Sequence, residues 1–175
     1  MSCETLQTIV KGCDNNSGGI YKFYVNQQDN INETTIDFMS PPNDWTINVL
    51  DLVVGADPFI ELEFKRNTSS YTEESAIDLI NGSSYVTATI NLMFHRRDQT
   101  KSQAIKVLGS GQQYLAGIIQ DANGLYWYFP YLQVSATGEG SGTARADGSK
   151  YSVTLVAENE FLAYQVDPTL IPGLL

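Results

Sequence analysis

The side chains that could do chemistry are few, and carboxylates come first. In the stretch FIELEFK, Glu61 and Glu63 share one strand face, and Glu73-Glu74 follow shortly after. Two carboxylates on an exposed strand could flank a glycosidic bond, one as general acid and the other as base or nucleophile. The same spacing also describes a solvated strand face, and nothing else in the chain supports hydrolysis. The single histidine, His95, ends a strand-like stretch and precedes Arg96-Arg97. A nucleophilic site needs a base beside Ser or Cys and a group to orient it. No Gly-x-Ser-x-Gly elbow is present, so His95, Arg96 and Arg97 read as a surface patch near a subunit boundary. One histidine with Cys3 and Cys13 makes no four-ligand zinc set. A Cys3–Cys13 disulfide fits the spacing but not a reducing compartment. The Gly-rich TGEGSGT lacks a following Lys-Ser/Thr and leads into no helix, so it is not a phosphate loop. The expectation is a protein that is not an enzyme and has no cofactor and no metal.

The elements around these residues are mostly strands. From Ser84 to Phe94 the chain alternates without a break. Val86, Ala88, Ile90, Leu92 and Phe94 fall on one face; Tyr85, Thr87, Thr89, Asn91 and Met93 fall on the other. That period of two predicts a long strand with one face in the core. Asp98 to Leu108 predicts an amphipathic helix, with Asp98 as N-cap, Ala104, Ile105 and Leu108 on one face, and Gly109 and Gly111 ending it. Asn123-Gly124 between Tyr114–Gln120 and Leu125–Phe129 is a strong hairpin signal, because its turn needs positive φ. Further strands are expected at 20–25, 44–54, 59–65, 131–136, 150–157 and 158–166. The stretch 71–80 fits a strand or a short helix; strand is favoured because Asn81-Gly82 then closes a hairpin. The polar segment 26–43 reads as a long loop or arm, and the apolar tail 167–175 as an extension.

The chain has 175 residues, enough for one domain spanning 1–175. Its net charge of −10 supplies no basic footprint for gripping DNA. An acidic wall would instead let a polyanion slide past. MSCETLQTIVKGC has no basic start followed by an apolar run, and no stretch reaches transmembrane length, so neither a signal peptide nor a membrane partner is expected. The fold class expected is mainly β: an antiparallel β-sandwich or barrel with one flanking α-helix.

The order of these features resembles a known family. Tyr71-Thr72-Glu73 precedes the strand Thr87 to Phe94; Ile118 to Trp127 encloses Asp121-Ala122-Asn123-Gly124. Then come Gly142-Thr143-Ala144, Asp147-Gly148, Tyr151 to Val156, and Ala163 to Val166, and Cys13 to Ile20 matches near the start. This resembles the tail tube proteins of tailed bacteriophages, especially those infecting Bacteroidetes. The likeness covers most of the chain and is weakest over 26–56. Phe129-Pro130 stands where members often have a glycine, and the tail from Pro168 is extra.

The resemblance implies a fold of the phage tail tube type. Each protomer would give a four-stranded sheet to a continuous barrel, in rings of six-fold or twelve-fold symmetry, stacked so that genome DNA passes non-specifically. The partners would be copies of itself and other tail and portal-proximal proteins; the location would be the virion tail, assembled in the host cytoplasm. Candidate channel-facing residues are Glu61, Glu63, Glu74, Asp78, Thr87, Thr89 and Asn91. Candidate subunit contacts are His95, Arg96, Arg97, Leu170, Ile171, Leu174 and Leu175. The segment 26–43 and the tail would reach neighbouring subunits. Two alternatives stand beside it: a tail ring or adaptor protein at the head–tail junction of a short-tailed phage, and a carbohydrate-binding β-sandwich using Tyr126-Trp127-Tyr128 as a sugar platform.

Overall fold

A computed structural model describes residue 9 and residues 11–40, 45–110 and 113–175. The protein is mainly β, with ten strands among the described residues: β1 Ile20–Gln27, β2 Asp37–Phe38, β3 Thr46–Val49, β4 Ile60–Leu62, β5 Ser70–Asp78, β6 Ser83–His95, β7 Leu115–Asp121, β8 Tyr126–Gly140, β9 Lys150–Asn159 and β10 Tyr164–Val166. Helix α1 covers Gln99–Ser110, and a short helix α2 covers Ile171–Leu174.

Two sheets share one strand. The first runs β2-β3-β10-β8-β7-β1-β4; the second runs β5-β6-β9-β8. All pairings are antiparallel except β10 with β3. Strand β8 pairs with β7 through residue 132 and with β9 from residue 133 onward. It changes sheets at Pro130-Tyr131, where Tyr131 takes φ 55°. Proline removes a ladder donor there, and positive φ turns the strand. A polar cluster holds the corner: Gln28 Oε1 accepts from the Tyr131 amide, and Gln28 Nε2 donates to Glu33. The Tyr131 hydroxyl also donates to Glu33, at 2.6 Å. Two strands expected at 125–129 and 131–136 are therefore one long bent strand.

The main core lies between the sheets. It takes Phe23 and Val25 from β1, Ile119 from β7, Phe129 and Leu132 from β8, and the apolar sides of β6 and β9. Val86, Ala88, Ile90, Leu92 and Phe94 are all buried, as the alternation requires. Burying each of the larger ones contributes roughly 1.5–3 kcal/mol. Gly117 of β7 leaves room for side chains of the two flanking strands: a Cβ there would lie 2.6 Å from Leu132 of β8 and 2.8 Å from Phe23 of β1.

A second apolar cluster covers the outward face of the first sheet. Tyr24, Ala116, Ile118 and Tyr128 of that face pack against Ile31, Ile47, Leu50, Phe59, Val166, Ile171 and Leu174. The cover comes from residues 28–38 and 47–59 and from the C-terminal tail. The segment expected as an arm at 26–43 thus folds back on its own domain over 26–40: Ile31 is buried, and Ile36 and Phe38 pack on the cluster. The physical reason is the apolar face beneath it, which has no other cover. The remainder of that segment, 41–43, lies outside the described residues.

Helix α1 closes one end of the main core through Ile105 and Leu108. Asp98 Oδ1 accepts from the Lys101 amide at 2.8 Å, the expected cap. The helix continues through Gly109 to Ser110, past the expected stop; Gly111 lies outside the described residues.

Candidate functional site

The outward face of the second sheet is the surface most unlike the rest of the molecule. Register fixes its composition. Glu74 of β5 stands opposite Thr87 of β6, and Thr87 stands opposite Glu158 of β9. The next row is Thr72, Thr89, Val156 and Gln133; the one beyond includes Ser70, Asn91 and Thr154. Thr154 Oγ1 donates to Asn91 Oδ1 at 3.0 Å. The surface is hydroxyl- and amide-rich, and no described element packs over it. Hydroxyls and amides on a pleated sheet satisfy water without attracting or gripping a phosphate chain, and Glu74 and Glu158 add a mild negative field.

Its two margins are open. Strand β5 pairs only with β6, and residues 133–140 of β8 pair only with β9 among the described residues. Strand β5 has nine residues with no proline and no lysine; its charges are the carboxylates Glu73, Glu74 and Asp78, and its outer margin is unpaired among the described residues. Because the four strands are antiparallel and even in number, β5 and the distal part of β8 run in opposite directions. A copy placed beside another can therefore continue the ladder without breaking its alternation.

The structure brings five of the seven expected face residues together: Glu74, Asp78, Thr87, Thr89 and Asn91 lie on this one face. Asp78 is committed to a turn. Its carboxylate accepts from the Ile80 and Asn81 amides and from Asn81 Nδ2, and these bonds hold its pKa below the usual carboxylate range. Glu61 and Glu63 are not part of the face. Glu61 is in β4, opposite Tyr24 of β1, on the outward side of the first sheet, where it pairs with Lys22 at 3.3 Å. Glu63 is exposed just beyond β4. Alternation within a strand identifies a shared face but not the sheet that the strand joins. Glu158 belongs to the face and was missed for the same reason; only its register with Thr87 reveals it.

The expected subunit contacts divide. Ile171 and Leu174 are buried in the outer cluster and Leu170 packs against it, so these three serve the protomer's own cover. Leu175 is exposed. Arg97 pairs with Glu139 at 2.9 Å and its amide donates to Ser149 Oγ. His95 is half-buried, with Nδ1 lacking a hydrogen-bond partner. Arg96 takes φ 62° and makes no ion pair among the described residues.

The carboxylate pairs form no acid–base site. Glu73 points to the inner side, half-buried, accepting from the Ala163 amide at 2.7 Å; burial raises its pKa. Glu61 is on the opposite side of the sandwich. Trp127 is likewise no sugar platform: it packs on the main core and its Nε1 donates to Asp121 at 3.0 Å. Asp121 also accepts from the Asn123 and Leu125 amides, which explains the Asp-x-Asn-Gly pattern. A half-exposed aromatic group elsewhere, Trp45, uses one face on Tyr164, at 5.7 Å and nearly parallel. Among the described residues, no group of three or more His, Cys, Asp or Glu is arranged to hold a metal ion, and no helix is long and apolar enough to cross a membrane. Cys13 is exposed and free among the described residues; Cys3, with which a disulfide fits the spacing but was not expected, lies outside them.

No protein family profile matches the chain, and no curated protein matches it. Among solved structures it is similar to the crystal structure of Hcp1 from Salmonella typhimurium, at 16% identity over 80% of this chain and 86% of that one, with a TM-score of 0.37. A superposition this loose transfers no role.

Proposed function

We propose that the protein is a structural subunit that assembles into rings stacked as a tube of the phage tail type. The second sheet would line a central channel through which genome DNA passes. The observation that carries this reading is the sheet β5-β6-β9-β8: one face in the core, the other polar and bare, both lateral edges open. Joining β5 of one copy to the distal part of β8 of the next pairs the open edges and turns the bare face into a lumen. The face suits passage of DNA because it offers hydroxyls, amides and a few carboxylates, and no row of lysine or arginine. The partners are other copies and neighbouring tail components, and the site of action is the virion.

Sedimentation velocity over a concentration series, with negative-stain images of the heaviest fraction, tests the reading. Rings or tubes with a central opening are expected. A monomer at every concentration, including beside assembled tail components, would overturn it.

A further inference from the structure

The first sheet also has an unfinished margin. Strand β4 ends that sheet and pairs only with β1 among the described residues. Beside it, facing α1, lies a cleft of about 540 Å³. Ala104, Val107 and Leu108 of the helix form one wall, and Ile60 and Leu62 of β4 form the other. Ile60 is 63% exposed and Val107 67%, so both walls present bare aliphatic surface. An open strand edge beside an apolar helix face is the geometry in which an extended segment adds to a sheet. Backbone groups of the edge supply the hydrogen bonds, and the cleft takes a side chain. The rest of the lining is mostly amide, and Asp57 is the one ionisable residue in it. Asp57 is exposed and makes no ion pair among the described residues. The chemistry asked of an occupant is therefore an extended stretch with an aliphatic side chain and a cation close by.

The stretch ahead of β1 has that chemistry. Ile9 is 98% exposed, and Lys11 is exposed without an ion pair among the described residues. Elsewhere among the described residues, an exposed large apolar side chain stands within two positions of a lysine or arginine only at Tyr21-Lys22 and Lys106-Val107. Lys22 is already paired with Glu61, and Val107 is itself a wall of the cleft. Residues 11–18 are exposed and belong to no strand or helix. The chain is pinned only at Asn16 and Ser17: the Ser17 amide donates to Asn123 Oδ1 at 2.8 Å, and Asn123 Nδ2 donates to Asn16 Oδ1. From that pin back to Ile9, seven residues at about 3.3 Å each reach roughly 23 Å. With Ile9 almost wholly in water, a protomer does not fill its own cleft.

We infer that the stretch around Ile9 and Lys11 of one copy docks along the β4 margin of a second copy, with Ile9 in the α1–β4 cleft and Lys11 beside Asp57. The contact buries an aliphatic side chain that the free protomer leaves bare, and it covers the open edge of the first sheet. This deepens the assembly reading and rests on it: paired edges of the second sheet make the ring, and the stretch ahead of β1 ties one copy to another.

The test uses the full chain with Cys3→Ser and Cys13→Ser. One preparation carries Ile9→Cys and another Ile60→Cys; they are mixed at assembling concentration under mild oxidation, and linked peptides are mapped by mass spectrometry. A 9–60 link between chains is expected. Adding Asp57→Lys to the Ile60→Cys chain should lower its yield by up to about fivefold, the scale of an exposed ion pair. Adding Lys11→Asp to the Ile9→Cys chain should then restore it. All these side chains are exposed, so the variants should fold as the parent does. Rings without a 9–60 link, or a link whose yield ignores both charge changes, would overturn the inference and leave the ring reading intact. If a chain carrying both cysteines forms the link only within itself, the second copy is excluded and the inference fails. A monomer with no link would overturn both readings.

Discussion

Strands β6 and β7 are neighbours in the chain and opposites in design. In β6, alternate residues are buried and the others meet water. In β7, Leu115 to Ile119 are buried without a break, because both of its sides are covered. The difference extends to the whole sheet each belongs to. The first sheet has apolar residues on both faces and recruits residues 28–38 and 47–59 and the C-terminal tail as a lid. The second buries its apolar residues on one face, and its other face, mostly polar with Val156 and Met93 among its residues, is left bare. A monomer would gain nothing from an unpaired strand edge beside such a face. A ring gains a continuous wall.

The sharpest way to break the comparison is to remove atoms from each side in turn. Leu174→Ala takes a buried side chain out of the lid and should destabilise the fold by about 2–5 kcal/mol in chemical denaturation. Thr89→Ala on the bare face should stay within about 0.5 kcal/mol. Equal costs would mean that the two faces are not distinct.

Next in size is Asp121→Ala. It strands the Asn123 and Leu125 amides and Trp127 Nε1, and should cost about 1–3 kcal/mol, seen as a lower denaturation midpoint.

The lid also has a pH signature. Burial pushes the Tyr128 hydroxyl from 10.0 up to about 12. The folded chain holds that proton where the unfolded chain would release it. Its stabilising contribution is therefore complete below the unfolded value and fades as pH rises through the folded one. Between pH 10 and about 12, stability of Tyr128→Phe should fall less steeply than that of the parent.

The smallest effect on stability belongs to Glu74→Lys with Glu158→Lys. Both residues are exposed, so folding should change by less than about 1 kcal/mol. Assembled tubes of the variant should nevertheless retain DNA in a salt-dependent way, read by filter binding, while the parent tubes release it.

What was legible in the sequence follows from this contrast. Where one face meets water, alternation reports it: Val86, Ala88, Ile90, Leu92 and Phe94 are buried as the pattern requires, and Thr87, Thr89, Asn91 and Glu74 share the outward face. The cap at Asp98 and the turn at Asn123-Gly124 are local and were equally readable. Residues whose position depends on distant pairing were not. Glu61 lies on the first sheet because β4 pairs with β1, and Glu158 joins the bare face because β9 pairs with β6. The lid was invisible for a related reason. Ile31, Ile36 and Phe38 are spaced irregularly within a polar segment, and only the apolar face beneath them explains their burial.

A cryo-EM reconstruction of the assembled protein tests the central claim most directly. The account predicts a closed ring in which β5 of each copy continues the ladder of β8 in the next, with Thr87, Thr89, Asn91 and Glu158 facing the opening. A ring that carries those residues on its outer wall, or one joined through the lid of the first sheet, would contradict it.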